Sequence, residues 1–220
     1  FADLLTINAA EHVLINEYND QRNTFDHKKL HSIPTGFLDA VQRYENNIAI
    51  IENDQYMTYR EIDQNSNMLA NYLMKKGVDS GHIVAILGGR STETVISMLA
   101  ILKIGSAYAP IDANYPKEKI EQFLDNSSFS HVISSSCFLP LINESHMHKV
   151  SFLDKEKHEI QVCSKMFNYT ENMESLCYVI FTSGSTGTPK VAAVKHIGWS
   201  NLLQWFTDQY HINNDDKIYL

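Results

Sequence analysis

Positive charge is scarce in this sequence. Its 220 residues carry 18 lysines and arginines against 26 aspartates and glutamates, a formal net charge of −8. An acidic surface disfavours nucleic acid and anionic membranes as partners. Long apolar runs are missing too, and none approaches the roughly 20 residues of a membrane-spanning helix. No basic stretch leading into an apolar one opens the chain, so no secretory leader is read there. The first residue is Phe1 rather than Met, read here as a processed chain or a piece of a longer one.

Cysteine is equally sparse. Cys137, Cys163 and Cys177 are odd in number and lack C-x-x-C spacing. That excludes a disulfide framework and a thiolate zinc site, and reduced thiols point to the cytoplasm. Ten histidines raise the question of a metal. Their closest pair, His146 and His148, has neither an H-E-x-x-H pattern nor a cysteine partner, so it reads as part of a solvated loop. No metal ligands are expected in this chain.

What is present is ordinary globular composition, 44% apolar and 20% charged, with alternating strand and helix signals. Residues 1 to about 46 are polar, with one short amphipathic helix around Ala10, Val13 and Leu14 and then a meandering segment. From Ile48 the order changes. "NIAII" and "YMTY" read as two strands joined by the turn "ENDQ". Thr58 and Glu61 have the spacing of a capping box, and Ile62, Leu69, Ala70 and Leu73 give the following helix an apolar face that ends at Gly77. "IVAIL" is the next strand. Ser91 opens a helix with the stripe Val95, Met98, Leu99 and Leu102, and after Gly105 "AYAPI" is a strand again. Strand, helix and strand within about 30 residues predict parallel pairing. Pro116 then opens a helix with inner residues Ile120, Phe123 and Leu124, followed by the strand "HVIS". The signal weakens from about 135 to 175, apart from "VSFL". "LCYVIF" has the unbroken apolarity of a strand covered on both faces. "VAAV" is a further strand, Leu202, Leu203 and Phe206 mark a helix, and "KIYL" reads as the start of a strand. The fold class is therefore α/β: layered, mostly parallel sheets flanked by helices.

One loop stands out. After "LCYVIF" comes Thr182-Ser-Gly-Ser-Thr-Gly-Thr-Pro-Lys190. A polyphosphate needs many donors close together. Glycines admit a close backbone, consecutive amides can cup an anion, hydroxyls add donors, and lysine adds charge. Ligands of parallel sheets also bind beyond the carboxyl ends of strands. The loop is not a Walker A motif, because no hydroxyl follows its lysine, and G-x-G-x-x-G is absent. On composition alone, a flexible Ser/Thr/Gly surface turn is an equal alternative.

The longer string "YVIFTSGSTGTPK" resembles the signature loop of adenylate-forming enzymes. "MTYREIDQNSNMLANYLMKKGV" is similar to the first core motif of peptide-synthetase adenylation domains, and "MLAILKIGSAYAPIDANYPKEKIEQFLDNS" to the second. "LLTINAAEHVLINEYND" looks like the linker between an upstream condensation domain and an adenylation domain. The resemblance covers most of the chain. It implies residues 1–46 as a linker-like segment and residues 47–220 as the front part of the large N-terminal subdomain.

The activity so implied is ATP-dependent activation of an amino acid as an aminoacyl adenylate, with release of pyrophosphate. The acyl group then passes to phosphopantetheine on a carrier domain of a nonribosomal peptide synthetase. Carrier and condensation domains would be the partners, and ATP and Mg2+ the cofactors. By the same resemblance Thr182, Ser183, Gly184, Ser185, Thr186, Gly187 and Lys190 would hold the β- and γ-phosphates. Tyr108, Pro110 and Asp112 match a core motif and read as structural, and so does His196. The magnesium ligands and the catalytic residues that touch the α-phosphate and the amino acid are expected after Leu220, so the segment alone is expected to be inactive.

Some positions depart from the pattern. Val191 stands where the family usually has glycine, and a positive φ there would strain a β-branched residue by roughly 1–2 kcal/mol. On that premise Val191→Gly would tighten nucleotide binding. Lys195, Ile197, Ile104 and Ser106 also differ. Two other readings stay open: an acyl-CoA or aryl-acid ligase of the same superfamily, and an inactive remnant that only binds nucleotide or a partner.

Overall fold

The structure, a computed structural model, describes residues 30–125, 129–182 and 190–219. The chain divides into two units, Phe1–Leu30 and His31–Leu220. The first lies outside the described residues apart from Leu30, and with it the helix expected around Ala10, Val13 and Leu14. The fold below is that of the second.

It opens with an unexpected helix. α1 (Ile33–Tyr44) stands where a meandering segment was expected. Ser32 caps it by accepting a bond from the Thr35 amide, and Pro34 sits in its first turn, where no amide partner is needed. Ile33, Phe37, Val41 and Tyr44 recur at helical spacing and give it one apolar face, and tertiary contact adds to that. Phe37 packs 6.1 Å from Tyr59, ring to ring.

β1 (Ile48–Glu52) and β2 (Gln55–Thr58) pair antiparallel. Their turn residues Asn53 and Asp54 both have positive φ, 46° and 61°. Two such residues match the right-handed twist of the strands, and Asn and Asp tolerate the conformation. The expected capping box then forms: the Thr58 hydroxyl accepts from the Glu61 amide at 3.2 Å, and the Glu61 carboxylate accepts from the Thr58 amide at 2.8 Å. α2 (Tyr59–Lys75) follows.

Next come β3 (Ile83–Gly88), α3 (Thr92–Ile104), β4 (Ala107–Asp112), α4 (Lys117–Asp125) and β5 (His131–Ser134). Two 3-10 helices, Ser136–Leu141 and Glu144–Lys149, lead to β6 (Val150–Phe152) and α5 (Lys157–Gln161). β7 (Leu176–Thr182), β8 (Lys190–Lys195) and α6 (His196–Tyr210) complete the unit. Among the described residues the larger sheet has the order β6-β5-β3-β4-β7-β8. All its pairings are parallel except β7 with β8. The α/β class with mostly parallel strands is therefore observed.

The period-two alternation of β3 builds the layers. Val84 and Ile86 face a core with α2 and α3, while Ala85 and Leu87 face a second core with α4. α3 is more deeply buried than its expected stripe. Leu99 through Ile104 are all buried, whereas Val95 and Met98 are only half-buried. The cause is a helix held between the sheet and α2, so neighbours touch it on more than one side. Gly105 ends α3 with φ of 85°, and a Cβ there would meet the Ser80 hydroxyl at 2.8 Å.

Two expectations fail. β7 is not covered on both faces among the described residues. Cys177 and Val179 are buried, but Ile180 is 38% exposed. Residues 217–219 of "KIYL" form no strand, and Ile218 and Tyr219 are largely exposed. An apolar run reports a chain's affinity for cover, not the cover itself.

Burial also sets an acid limit. Burial chiefly lowers the pKa of the His131 ring, to about 4, and depresses that of His196, with Glu171 opposing the latter. The unfolded chain takes up these protons first, so their stability contribution is full above about 6.5 and is lost as pH falls toward the folded value. Thermal melts should show about 2 kcal/mol lost between pH 7 and 5 for His131 alone. His131→Asn should flatten that fall, and an unchanged slope would refute the assignment.

Candidate functional site

The parallel strands all present their carboxyl ends at one edge, where Gly88, Asp112, Ser134 and Thr182 stand. Gly88 and Asp112 are register partners, and the Ala113 amide donates to the Gly88 carbonyl at 3.1 Å. The Asp112 carboxylate accepts from the amide of Asn114 at 2.9 Å. Asp112 thus ties the turn, as its residue type predicted. Pro110 lies inside β4 rather than at its end, opposite Ile86. β7 pairs with β4 only through Tyr108 and Tyr178, so a missing amide at Pro110 interrupts nothing on that side.

That single bridge has a consequence for the glycine-rich loop. Beyond Tyr178, β7 leaves β4 and runs on with β8 alone. Thr182 and Lys190 are the last register partners of this antiparallel pair. The Thr182 hydroxyl donates to the Lys190 carbonyl at 3.3 Å across the neck. Residues 183–189 therefore connect two paired strands, unlike the strand-to-helix connection of a Walker A loop. Of the seven candidate residues, the structure brings Thr182 and Lys190 together. Ser183, Gly184, Ser185, Thr186 and Gly187 lie outside the described residues.

The neck is held by rings. Phe181, one residue before Thr182, stacks on Phe123 at 4.3 Å and meets Phe129 edge-on at 5.9 Å. Tyr108 stacks on Tyr178 at 5.8 Å, and Tyr178 meets Trp199 edge-on at 5.7 Å. Burial raises the Tyr108 pKa and pushes that of the Cys177 thiol up to about 12, so both stay neutral as packing groups.

His196 is structural by its contacts. It is 1% exposed at the start of α6, and its Nδ1 accepts from the Ile33 amide at 3.4 Å. Nearby, Glu171 accepts from the Ser32 amide at 2.8 Å, and the Tyr169 hydroxyl donates to the Ser32 hydroxyl at 2.8 Å. These bonds tie the entry of α1 to α6. His146 pairs with Asp125 at 2.7 Å, and His148 donates to the Ser145 carbonyl at 2.9 Å. Among the described residues no group of three or more His, Cys, Asp or Glu could hold a metal ion.

Val191 corrects an expectation. It sits within β8 opposite Phe181, and among the described residues the non-glycine ones with positive φ are Asn53, Asp54 and His211. An extended β-branched residue is unstrained there. Val191→Gly should therefore bind ATP no more tightly than the parent and should lose about 0.5–1 kcal/mol of stability. Calorimetric titration with ATP checks the first part and urea unfolding the second.

Sequence reasoning missed Lys103. It is buried at 3% exposure, with its ammonium among Asp63, Ser66 and Asn67. The signal was present: one lysine inside the apolar run from Met98 to Ile104, four residues after Leu99 on the buried side of α3.

Comparison with known proteins places these features. The AMP-binding enzyme family matches residues 37–220. Bacitracin synthase 1 of Bacillus licheniformis is 31% identical over 97% of this chain, and gramicidin S synthase 2 of Brevibacillus brevis is 32% identical over 98%. The chain spans only 4% and 5% of those two proteins. Among solved structures, the N-terminal subdomain of Klebsiella oxytoca NpsA in complex with 3-hydroxyanthranilyl-AMSN is 30% identical, with a TM-score of 0.69. There 80% of this chain aligns with 44% of that one. The AMPPNP-bound nonribosomal peptide synthetase FmoA3 shares the fold at 22% identity, with a TM-score of 0.82 over 95% of this chain and 22% of its own. No helix among the described residues is long and apolar enough to cross a membrane.

Proposed function

The chain belongs to the AMP-binding enzyme family, and from that premise we propose that it is the front part of an amino-acid adenylation domain in a nonribosomal peptide synthetase. The reading is supported chiefly by one observation: Thr182 and Lys190, the described residues on either side of the glycine-rich segment, are register partners where β7 ends and β8 begins. In the proposed reaction a carboxylate oxygen of the amino acid attacks the α-phosphorus of ATP. A new phosphorus–oxygen bond forms, the α–β anhydride bond breaks, and pyrophosphate leaves with the electron pair. The phosphopantetheine thiol of a carrier domain then attacks the acyl carbon: a carbon–sulfur bond forms, the carbon–oxygen bond to AMP breaks, AMP leaves with the electron pair, and the thiol proton passes to solvent.

The roles of this chain's residues are binding and orientation. Thr182, Ser183, Gly184, Ser185, Thr186 and Gly187 would supply hydroxyl and amide donors to the β- and γ-phosphates. Lys190 would offset charge as pyrophosphate separates. Mg2+ would neutralise phosphate charge when bound, and its ligands are assigned to residues after Leu220. We further assign the segment before residue 47 as the connector to an upstream condensation domain, with α1 as its packed end. The reaction would take place in the cytoplasm, and this segment by itself would not complete it.

The test is amino-acid-dependent exchange of labelled pyrophosphate into ATP by the full-length protein. Lys190→Ala is expected to lower the exchange rate by at least tenfold, a loss of about 1.4 kcal/mol of transition-state stabilisation. Exchange with no amino acid, or full exchange in the variant, would sink the reading. An aryl-acid substrate is the second reading, favoured by the aryl adenylate analogue bound to the Klebsiella oxytoca relative. A substrate panel holding both classes separates them.

A further inference from the structure

The opposite edge of the sheet, where β5 and β6 begin, carries a concavity that the proposed reaction does not use. It encloses about 410 Å3. Lys76, His131, His148 and Lys149 line it, together with Ser130 and Ser151, and no carboxylate does. Phe129 and Val150 complete the wall, and in a chain of net charge −8 the gathering of four basic side chains around one hollow stands out.

Several of these groups lack protein partners among the described residues. Lys149 has no ion pair. His148 uses Nδ1 on the Ser145 carbonyl at 2.9 Å, which leaves Nε2 open. His131 is 6% exposed, and its Nε2 shares a 2.9 Å hydrogen bond with the Ser151 hydroxyl. Its Nδ1 is left without a protein partner. A buried polar atom in that state is uncommon and calls for a ligand or a water. Burial holds the ring down to about 4, so near pH 7 His131 serves as a neutral donor rather than a cation. Lys76 is shared with neighbours: its ammonium lies 3.9 Å from the exposed Glu159 and 5.1 Å from the Tyr72 ring centre, and the Tyr72 hydroxyl, with Glu156 and Glu159, raises its pKa. Glu156 stands behind this wall, accepting from the Tyr72 hydroxyl at 2.6 Å.

We propose that this cavity is a second oxyanion site, built for a phosphate-type group and independent of the glycine-rich loop. Two lysines supply charge, and the His131–Ser151 pair supplies one directed donor, from His131 Nδ1 when the Ser151 hydroxyl donates to Nε2. The Ser130 hydroxyl is spent on the Ile83 carbonyl at 3.3 Å, and His148 Nε2 donates only when its ring is protonated. Glu156 and Glu159 lie close enough to limit the affinity, so dissociation constants in the millimolar range are expected.

The experiment is histidine-resolved NMR of the full chain, titrated with inorganic phosphate at constant ionic strength. The His131 and His148 signals should move together and saturate. Lys149→Ala should weaken the response by at least about fivefold, the worth of one charge near the surface. Lys149→Arg should preserve it, and its retained fold serves as the control. Lys190→Ala, at the loop on the other edge, should leave it unchanged. Phosphoethanolamine bound more tightly than free phosphate would assign a phosphate carried on a larger molecule, and the reverse order would assign the free ion. The proposal is overturned if neither compound moves the His131 signal. It is equally overturned if chloride reproduces the shift, if Lys149→Ala leaves it intact, or if Lys190→Ala abolishes it.

Discussion

Replacing Lys103 with alanine is expected to lower the free energy of unfolding by about 3–5 kcal/mol, read by urea denaturation of the full chain. Four acceptors converge on this ammonium. Asp63 Oδ1 and Asn67 Oδ1 lie at 2.7 Å, Ser66 Oγ at 2.8 Å and the Asp63 carbonyl at 3.3 Å. The lysine side chain is 1% exposed and that of Asp63 18%. Burial lowers the lysine pKa, and the hydrogen bond to Asp63 works against that. The charged form is thus held by its partners, and removing it strands a carboxylate whose remaining side-chain donor is the Asn67 amide at 3.1 Å. Partial water access to Asp63 sets the loss toward the lower end of the range. The stem also packs, since the Lys103 ammonium sits 5.7 Å from the Phe37 ring centre and so joins α1 to the α2–α3 pair. Lys103→Met with Asp63→Asn should recover more than half of the loss, because stem and shape are kept while both charges go. A cost below about 1 kcal/mol for Lys103→Ala would show that the cluster is not a clamp.

The legibility of the fold follows from where the information resides. The capping box, the Gly77 and Gly105 stops and the β3-α3-β4 unit depend on neighbours a few residues apart, so the sequence displayed them. The short apolar strands at 131 and 150 were readable for the same reason. α1 carried local signals as well, the Ser32 cap, Pro34 in the first turn and Ile33, Phe37, Val41 and Tyr44 on one face, but these sit in an otherwise polar stretch that reads as meander. Phe37 on Tyr59 and the Ser32–Glu171 and His196–Ile33 bonds, between distant positions, were not readable. The 3-10 helices and α5 are short and lack a period long enough to read. The glycine-rich loop was visible as chemistry. That it connects two antiparallel strands, and that Val191 lies extended in the second, needed the register between Thr182 and Lys190.

Phe123→Ala is expected to impair both stability and the proposed reaction. The ring is 3% exposed, stacks on Phe181 at 4.3 Å, and meets Tyr115 edge-on at 5.8 Å. Deleting such a buried aromatic costs about 3–5 kcal/mol, the transfer loss plus the cavity left behind. The functional consequence follows from sheet topology. Because β7 bridges β4 only at Tyr178, the segment up to Thr182 has β8 as its strand neighbour. The Phe123–Phe181 stack is then what fastens the base of the glycine-rich loop to α4. Loosening it should raise KM for ATP in pyrophosphate exchange, since a small displacement of positioned donors weakens all their bonds to phosphate together. Leu73→Ala is the control. Leu73, a residue of α2, is fully buried in the other core, between α2, α3 and β3, and its loss costs about 2–5 kcal/mol without touching β7. Assayed at a temperature where both variants are folded, only Phe123→Ala should shift KM, and Phe123→Leu should restore part of it. Equal KM values in the two alanine variants would mean that the stack supports the core alone and does not position the loop.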